Sequence, residues 1–163
     1  MVAVDAINQV LDAFGKSISL SGLTLDDNLS CVLCVDKEHT IQLTYKSKLE
    51  TLIFFADIGA LGDCDVEQTC NTLLKANATW NLMRGCVLAK KPQQSSIILI
   101  YPFPIVNLTL AVFESAFEFF INQTKQWKNY LLELEQGQLS EPLAELCMPV
   151  EQNPVFANLN DRL

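Results

Sequence analysis

The sequence predicts an α+β fold in the order α-β-β-β-α-β-β-α, with the helices packed on a twisted, mainly antiparallel sheet. Three observations carry that expectation. Short runs with apolar residues at alternate positions follow one another at turn-length spacing, as in a meander rather than in βαβ crossovers. Three longer stretches carry apolar residues three and four apart, the period of a half-buried helix. Half of the 163 residues are hydrophobic and 18% are charged, which is enough apolar material for one packed core.

The first helix is expected over residues 2–14, with Val4, Ile7, Val10, Leu11 and Phe14 on its apolar stripe and Gly15 as its stop. The stretch SLSGLTLDDNLS reads as a loop. CVLCV, TIQLTY and TLIFFADI then form three strands joined by the turns DKEH and KSKLE. In the second strand Ile41, Leu43 and Tyr45 share one face, and Thr40, Gln42 and Thr44 the other. GALGD breaks the sheet pattern. Asp65 with Gln68 suggests a capping box for a second helix reaching Trp80, with Val66, Cys70, Leu73, Leu74, Asn77 and Trp80 on one stripe. A hairpin follows, its strands at 86–90 and 96–101. After Pro102 and Pro104 a long helix runs over 108–134, with Leu110, Phe113, Phe117, Phe120, Ile121, Trp127, Leu131 and Leu134 as its stripe, and Gly137 ends it. Residues 1–136 are thus one domain. Residues 137–163, with three prolines and little periodicity, read as a flexible or loosely docked tail.

A net charge of -8 opposes binding to nucleic acid or to an anionic membrane surface, both of which call for basic patches. The N-terminal MVAVDAINQVLDAFGKS lacks the basic region and apolar run of a signal peptide, so a cytoplasmic location is expected and the four N-x-S/T matches are coincidental. The most apolar region, 95–121, is split by Pro102 and Pro104 and carries Glu114 and Glu118, so a strand followed by a helix fits it better than a membrane span.

The stretch LTLDDNLSCVLCVDKEH gathers Asp26, Asp27, Cys31, Cys34 and the single histidine, His39. On a strand, Cys31 and Cys34 point to opposite faces and cannot share a metal or a disulfide, and no second Cys/His pair completes a zinc set. The six cysteines (31, 34, 64, 70, 86 and 147) are therefore expected to be reduced packing residues, and His39 an exposed turn residue. The carboxylate pairs Asp26/Asp27 and Asp63/Asp65 sit where capping explains them, and Glu114/Glu118 on a solvated helix face. No phosphate-cradling glycine motif occurs. Neither a catalytic residue, nor a metal site, nor a cofactor is predicted. A thiol nucleophile is the one enzymatic alternative.

What the strands do carry is surplus apolar surface. Ile53 and Phe55 oppose Leu52, Phe54 and Ile58, and Ile98 and Ile100 oppose Ile97, Leu99 and Tyr101, so neither face of the sheet is polar. A partner for the second face is expected.

LTLDDNLSCVLCVD, then IQLTY, LIFFADIGAL and LLKANATW...RGCVLA, resembles the type III secretion chaperones of the Tir-chaperone family, the class I secretion chaperones. FFINQTKQWKNYL near the end of the last helix extends the resemblance, which covers residues 2–134. It implies an acidic, cytosolic, bacterial homodimer that uses no ATP itself. Such a dimer binds the N-terminal chaperone-binding segment of a secreted effector, keeps it extended and delivers it to the export ATPase. It implies further that Leu73, Leu74, Asn77, Trp80, Cys86, Val87 and Leu88 form the dimer interface. Ile7, Leu11 and Phe14 of the first helix, with Ile41, Leu43 and Phe54 of the sheet, would receive the effector. The alternative is a protein-binding or small-ligand module of the same fold unrelated to secretion.

Overall fold

The computed structural model describes residues 2–61, 66–78, 83–92 and 94–136. Its elements are α1 (Val2–Ser17), β1 (Ser30–Val35), β2 (His39–Lys46), a 3-10 turn (Ser47–Leu49), β3 (Thr51–Ala60), α2 (Val66–Ala78), β4 (Val87–Lys90), β5 (Ser96–Pro104) and α3 (Leu110–Glu135). The order is the predicted one. The five strands form one sheet, β1-β2-β3-β5-β4, and every neighbouring pair is antiparallel. Among the described residues no helix is long and apolar enough to cross a membrane.

The β1–β2 connection is a tight turn: Glu38 N–H donates to Val35 O at 3.1 Å, and Asp36 and Lys37 both have positive φ, the twist that suits a hairpin. Strand β3 does not stop at GALGD but runs to Ala60 through a bulge between Asp57 and Gly59. Gly59 has φ +150, where a side chain would be strained, so the glycine that suggested a strand end allows the strand to bend instead.

Strand β5 also outruns its expected end and includes both prolines. Lys91 N–H donates to Ser96 O at 2.8 Å, so the even-numbered residues of β5 turn their backbone groups toward β4. Pro102 and Pro104 have that parity and lie beyond Val87, where β4 begins. Their missing N–H groups thus fall on an uncovered edge, where a strand tolerates proline.

One face of the sheet is covered by α1 and α3, and an aromatic cluster holds them there. The Phe54 side chain, fully buried on β3, has its ring centroid 5.5 Å from Phe103, 5.6 Å from Phe120, 5.8 Å from Phe113 and 6.3 Å from Phe117. Phe14 of α1 closes on Phe113 and Phe117 at 5.1 and 5.0 Å. The buried face of α3 is wider than its apolar stripe and includes Ala116, Thr124 and Tyr130. Thr124 is accommodated because its hydroxyl donates to Phe120 O at 2.9 Å. The α1–β1 loop is anchored too: Leu23 and Leu25 are buried, and Leu25 N–H donates to Asn8 Oδ1 at 2.9 Å.

Other expectations need correction. Helix α1 passes Gly15 and ends at Ser17. The glycine is required because a Cβ there would run into the carbonyl oxygen of Leu20, a residue held close by its own N–H, which donates to Gly15 O at 2.7 Å. On α2 the buried line is Thr69, Leu73 and Ala76, whereas Val66 and Leu74 are exposed, so the helix is rotated from the stripe read off the sequence. Thr69 and Ala76 are small enough to let α2 approach closely, which an apolar-residue count misses. His39 is buried rather than exposed, because it opens β2 with the parity of Ile41, Leu43 and Tyr45. Asp65, Trp80, Gly137 and the tail 137–163 lie outside the described residues.

If the Phe54 cluster fixes the helices on the sheet, Phe54→Ala should lower stability by about 3–5 kcal/mol. Urea denaturation followed by far-UV circular dichroism checks this. A loss under about 1 kcal/mol would show that the helices are held elsewhere.

Candidate functional site

The two edges of the sheet are finished differently. At β4, Leu88 has the parity that points away from β5. Its backbone is met by a side chain: Asn77 Nδ2 donates to Leu88 O at 2.8 Å, and Leu88 N–H donates to Asn77 Oδ1 at 2.9 Å. The carboxamide acts as one residue of a missing strand, so α2 closes this edge. Lys90, the next outward residue, brings the charge that discourages strand pairing.

At β1, Tyr45 N–H donates to Leu29 O at 2.8 Å, so odd-numbered residues of β1 pair with β2 and Ser30, Val32 and Cys34 turn outward. Asp26 takes the first of these. Its backbone N–H donates to Ser30 O at 2.8 Å, and its carboxylate Oδ1 accepts from Ser30 N–H and Asn28 N–H, each at 2.9 Å. Val32 and Cys34 are left with N–H and C=O groups that have no partner among the described residues. Both side chains are exposed, Val32 at 60%. The adjoining outer face carries a row across the sheet, Val32–Gln42–Phe55–Ile100–Val87, beside a second row, Ser30–Thr44–Ile53–Pro102. Val87 is exposed, and Ile53, Phe55 and Ile100 are half-buried. The surplus apolar surface expected from the strands therefore lies on this face and continues to the open edge.

The residues that the resemblance assigned to effector binding are elsewhere. Ile7, Leu11, Phe14, Ile41, Leu43 and Phe54 all lie in the core, none more than 6% exposed. Ile41, Leu43 and Phe54 are on the inward half of their strands and Ile7, Leu11 and Phe14 on the buried stripe of α1, and that burial leaves them no surface to offer a partner. Of the residues assigned to a dimer interface, Leu74 and Val87 are exposed. Leu73, Cys86 and Leu88 are buried within the subunit, Asn77 is half-buried and holds Leu88, and Trp80 lies outside the described residues. The open groups of Val32 and Cys34 were missed, as was the place of the capping expected of Asp26, which closes one position of this strand edge. The one signal for them was Asp26-Asp27-Asn28, residues whose side chains bond their own backbone two positions on.

Charge chemistry at the site is spare. Burial pushes the Cys31 thiol up to about 11 and the Cys86 thiol up to about 12, so both are protonated at neutral pH. Cys34 lies on the opposite face from Cys31, as the spacing requires. No cluster of three or more metal-ligating side chains occurs among the described residues. The hairpin tip is clipped to α3: Lys125 Nζ lies 2.7 Å from Asp36 Oδ2, and Lys128 Nζ donates to Glu38 O at 3.2 Å. Beneath the tip, His39 Nδ1 is buried without a hydrogen-bond partner among the described residues. Desolvation first, then the nearby Lys128 and Lys125, hold its pKa below the usual value, outweighing Glu38 and Asp36.

A profile of the Tir chaperone protein (CesT) family matches residues 9–128. A comparison with curated proteins gives no match. Among solved structures, the ExsC–ExsE complex aligns with a TM-score of 0.71 at 22% identity over 78% of this chain and 95% of that one. The HopA1–SchA chaperone–effector complex aligns with a TM-score of 0.67 at 18% identity, over 79% and 98%. The heterodimeric ExoU–SpcU complex from the type III secretion system of Pseudomonas aeruginosa aligns with a TM-score of 0.55 at 13% identity, over 78% and 96%. At these identities the structures establish a shared fold.

Two outcomes follow from the site. Asn77→Ala should cost about 1–2 kcal/mol and speed amide exchange at Leu88, because it strips partners from two backbone groups. Unchanged exchange at Leu88 would show that another group closes the β4 edge. His39 should make folding pH-dependent. Its pKa is lowered on folding from 6.5, so the unfolded chain binds the proton first. Stability should therefore be complete above about pH 6.5, fall as the pH drops below it, and level off beneath the folded pKa. Urea denaturation from pH 7.5 to 5, with His39→Gln as control, reads this. An equal slope in the variant would exclude His39 as the source.

Proposed function

Because the chain belongs to the Tir chaperone protein (CesT) family, we propose that it is a cytosolic type III secretion chaperone, a homodimer that holds the N-terminal chaperone-binding segment of one or more secreted effectors extended and export-competent. The complex is then delivered to the export ATPase of the secretion apparatus. The observation that carries the reading is the unequal treatment of the sheet edges: Asn77 closes β4, while Val32 and Cys34 leave β1 open beside an apolar face.

An extended client suits such an edge. Its backbone continues the ladder at Val32 and Cys34, and its alternate side chains lie beside Val32 on the outer face, with Gln42 of β2 the next residue across. Recognition through main-chain groups tolerates varied client sequences, and a client with no folded core needs no later unfolding. The dimer contact in this reading falls at the opposite edge of the sheet, at the exposed Leu74 of α2 and Val87 of β4, which flank the Asn77–Leu88 bonds. The net charge of -8 keeps chaperone and client soluble.

Co-expression with a candidate secreted protein encoded nearby, followed by limited proteolysis, tests the reading. A protected fragment from the N-terminal part of that protein is expected. Cys34→Pro removes an outward N–H that β2 does not use, so it should weaken capture at least about tenfold and leave the unfolding midpoint nearly unchanged. Full capture by this variant would move the client off the β1 edge. Leu74→Asp should halve the mass seen by light scattering. An unchanged mass would place the dimer contact elsewhere. Leu73 is unsuited to this test because it is buried within the subunit.

A further inference from the structure

We propose that in the client-free protein two copies of this chain pair edge to edge through β1, antiparallel about a two-fold axis at Leu33, so that Val32 of each copy lies opposite Cys34 of the other. The pairing concerns this chain alone. Its displacement by a client, whose backbone would continue the same ladder, is the only part that rests on the client reading above.

The edge is complementary to itself in one register. Among the described residues, the outward backbone groups of β1 left without a partner are those of Val32 and Cys34. Asp26 has taken those of Ser30, and the chain turns at Asp36. In an antiparallel ladder, two residues that meet with outward groups exchange both N–H···O bonds. Setting Val32 against Cys34 of the second copy also sets Cys34 against Val32, so every open group of both edges is used. Setting Val32 against Val32 brings Cys34 against the capped Ser30. Setting Cys34 against Cys34 brings Val32 against Asp36, where the strand has already turned. Each of those registers leaves open groups that the first one satisfies.

Side chains and charge favour the same arrangement. Val32 and Cys34 are exposed on the outer face, and across the join each covers part of the other. Asp36 of one copy falls level with Ser30 of the other, so each hairpin tip lies beside the partner's Asp26–Asp27 turn. At the tip Lys37, Lys125 and Lys128 outnumber Asp36 and Glu38, whereas Asp26 and Asp27 are both exposed and acidic. The two-fold axis repeats this match at the other end of the join. A parallel pairing would instead lay tip beside tip and aspartate beside aspartate. Few residues take part, against the roughly 20–30 a side of a stable interface, so the association is weak, rises with concentration and yields to a longer segment.

Disulfide trapping in the full-length, client-free protein tests the register. Residues opposite each other in such a pair have Cα atoms about 5.5 Å apart, which a disulfide spans, whereas the two Cys34 lie diagonally at about 7–8 Å. Val32→Cys, treated with a mild thiol oxidant and mapped by peptide mass spectrometry, should therefore join the introduced thiol to Cys34 of another copy. Its yield should exceed that of a Cys34–Cys34 adduct in the unsubstituted protein at least about fivefold. Adding Lys37→Glu should lower it severalfold. The absence of an intermolecular adduct at position 32 would overturn the proposal, as would an equal yield of Cys34–Cys34 adduct or indifference to Lys37→Glu. In the unsubstituted protein, amide exchange at Val32 and Cys34 should slow as concentration rises. Exchange independent of concentration would overturn the pairing without recourse to the introduced thiol. No client is present, so these results and the capture experiment above can fail independently.

Discussion

The packing of Phe54 against five aromatic rings is the constraint on which the rest of the structure depends. Phe54 sits at the centre of the middle strand, and rings from β5 and α3 close around it, with Phe14 of α1 packed behind them. Aromatic side chains bury large areas with preferred edge and offset geometries, so such a cluster fixes position as well as stability. Once α1 and α3 are committed to that face, the other face has no comparable cover from them. Its apolar residues, Ile53, Phe55 and Ile100, become surface to be shared.

The edges of the sheet complete that division. A five-stranded antiparallel sheet has two rows of unpaired backbone groups, each a hazard unless managed. Asn77, Lys90, Pro102 and Pro104 settle one side by three different means: a surrogate amide, a charge, and missing donors. On the other side Asp26 blocks Ser30, and the next two outward residues have no partner among the described residues. The aspartate that looked like loop chemistry thus sets one boundary of the open slot. The prolines that looked like a strand's end protect an edge.

Much of the fold was legible in residue order. The alternation in TIQLTY and the stripe Phe113, Phe117, Phe120 needed only local periodicity, and the family resemblance rested on the same stretches. The site was less legible, and the effector residues show why. Ile7, Leu11 and Ile41, which the resemblance assigned to the effector, are apolar, but apolarity marks both the core and a sticky surface. Burial separates the two, and it depends on what α3 covers. His39 shows the same limit: proximity to a turn suggested exposure, while strand parity placed it inward.

The sequence by itself determined the order of elements, the alternation of faces along the strands, the acidic charge and the excess of apolar β-surface. These are local or additive properties, carried by a few neighbouring residues at a time. Only the tertiary structure decided that β1 lies at an edge, that Asn77 closes the opposite one, and that the outward groups of Val32 and Cys34 have no partner among the described residues. Those facts depend on contacts between segments distant in the chain, such as α2 with β4, and no spacing along the chain encodes which strand will have no neighbour.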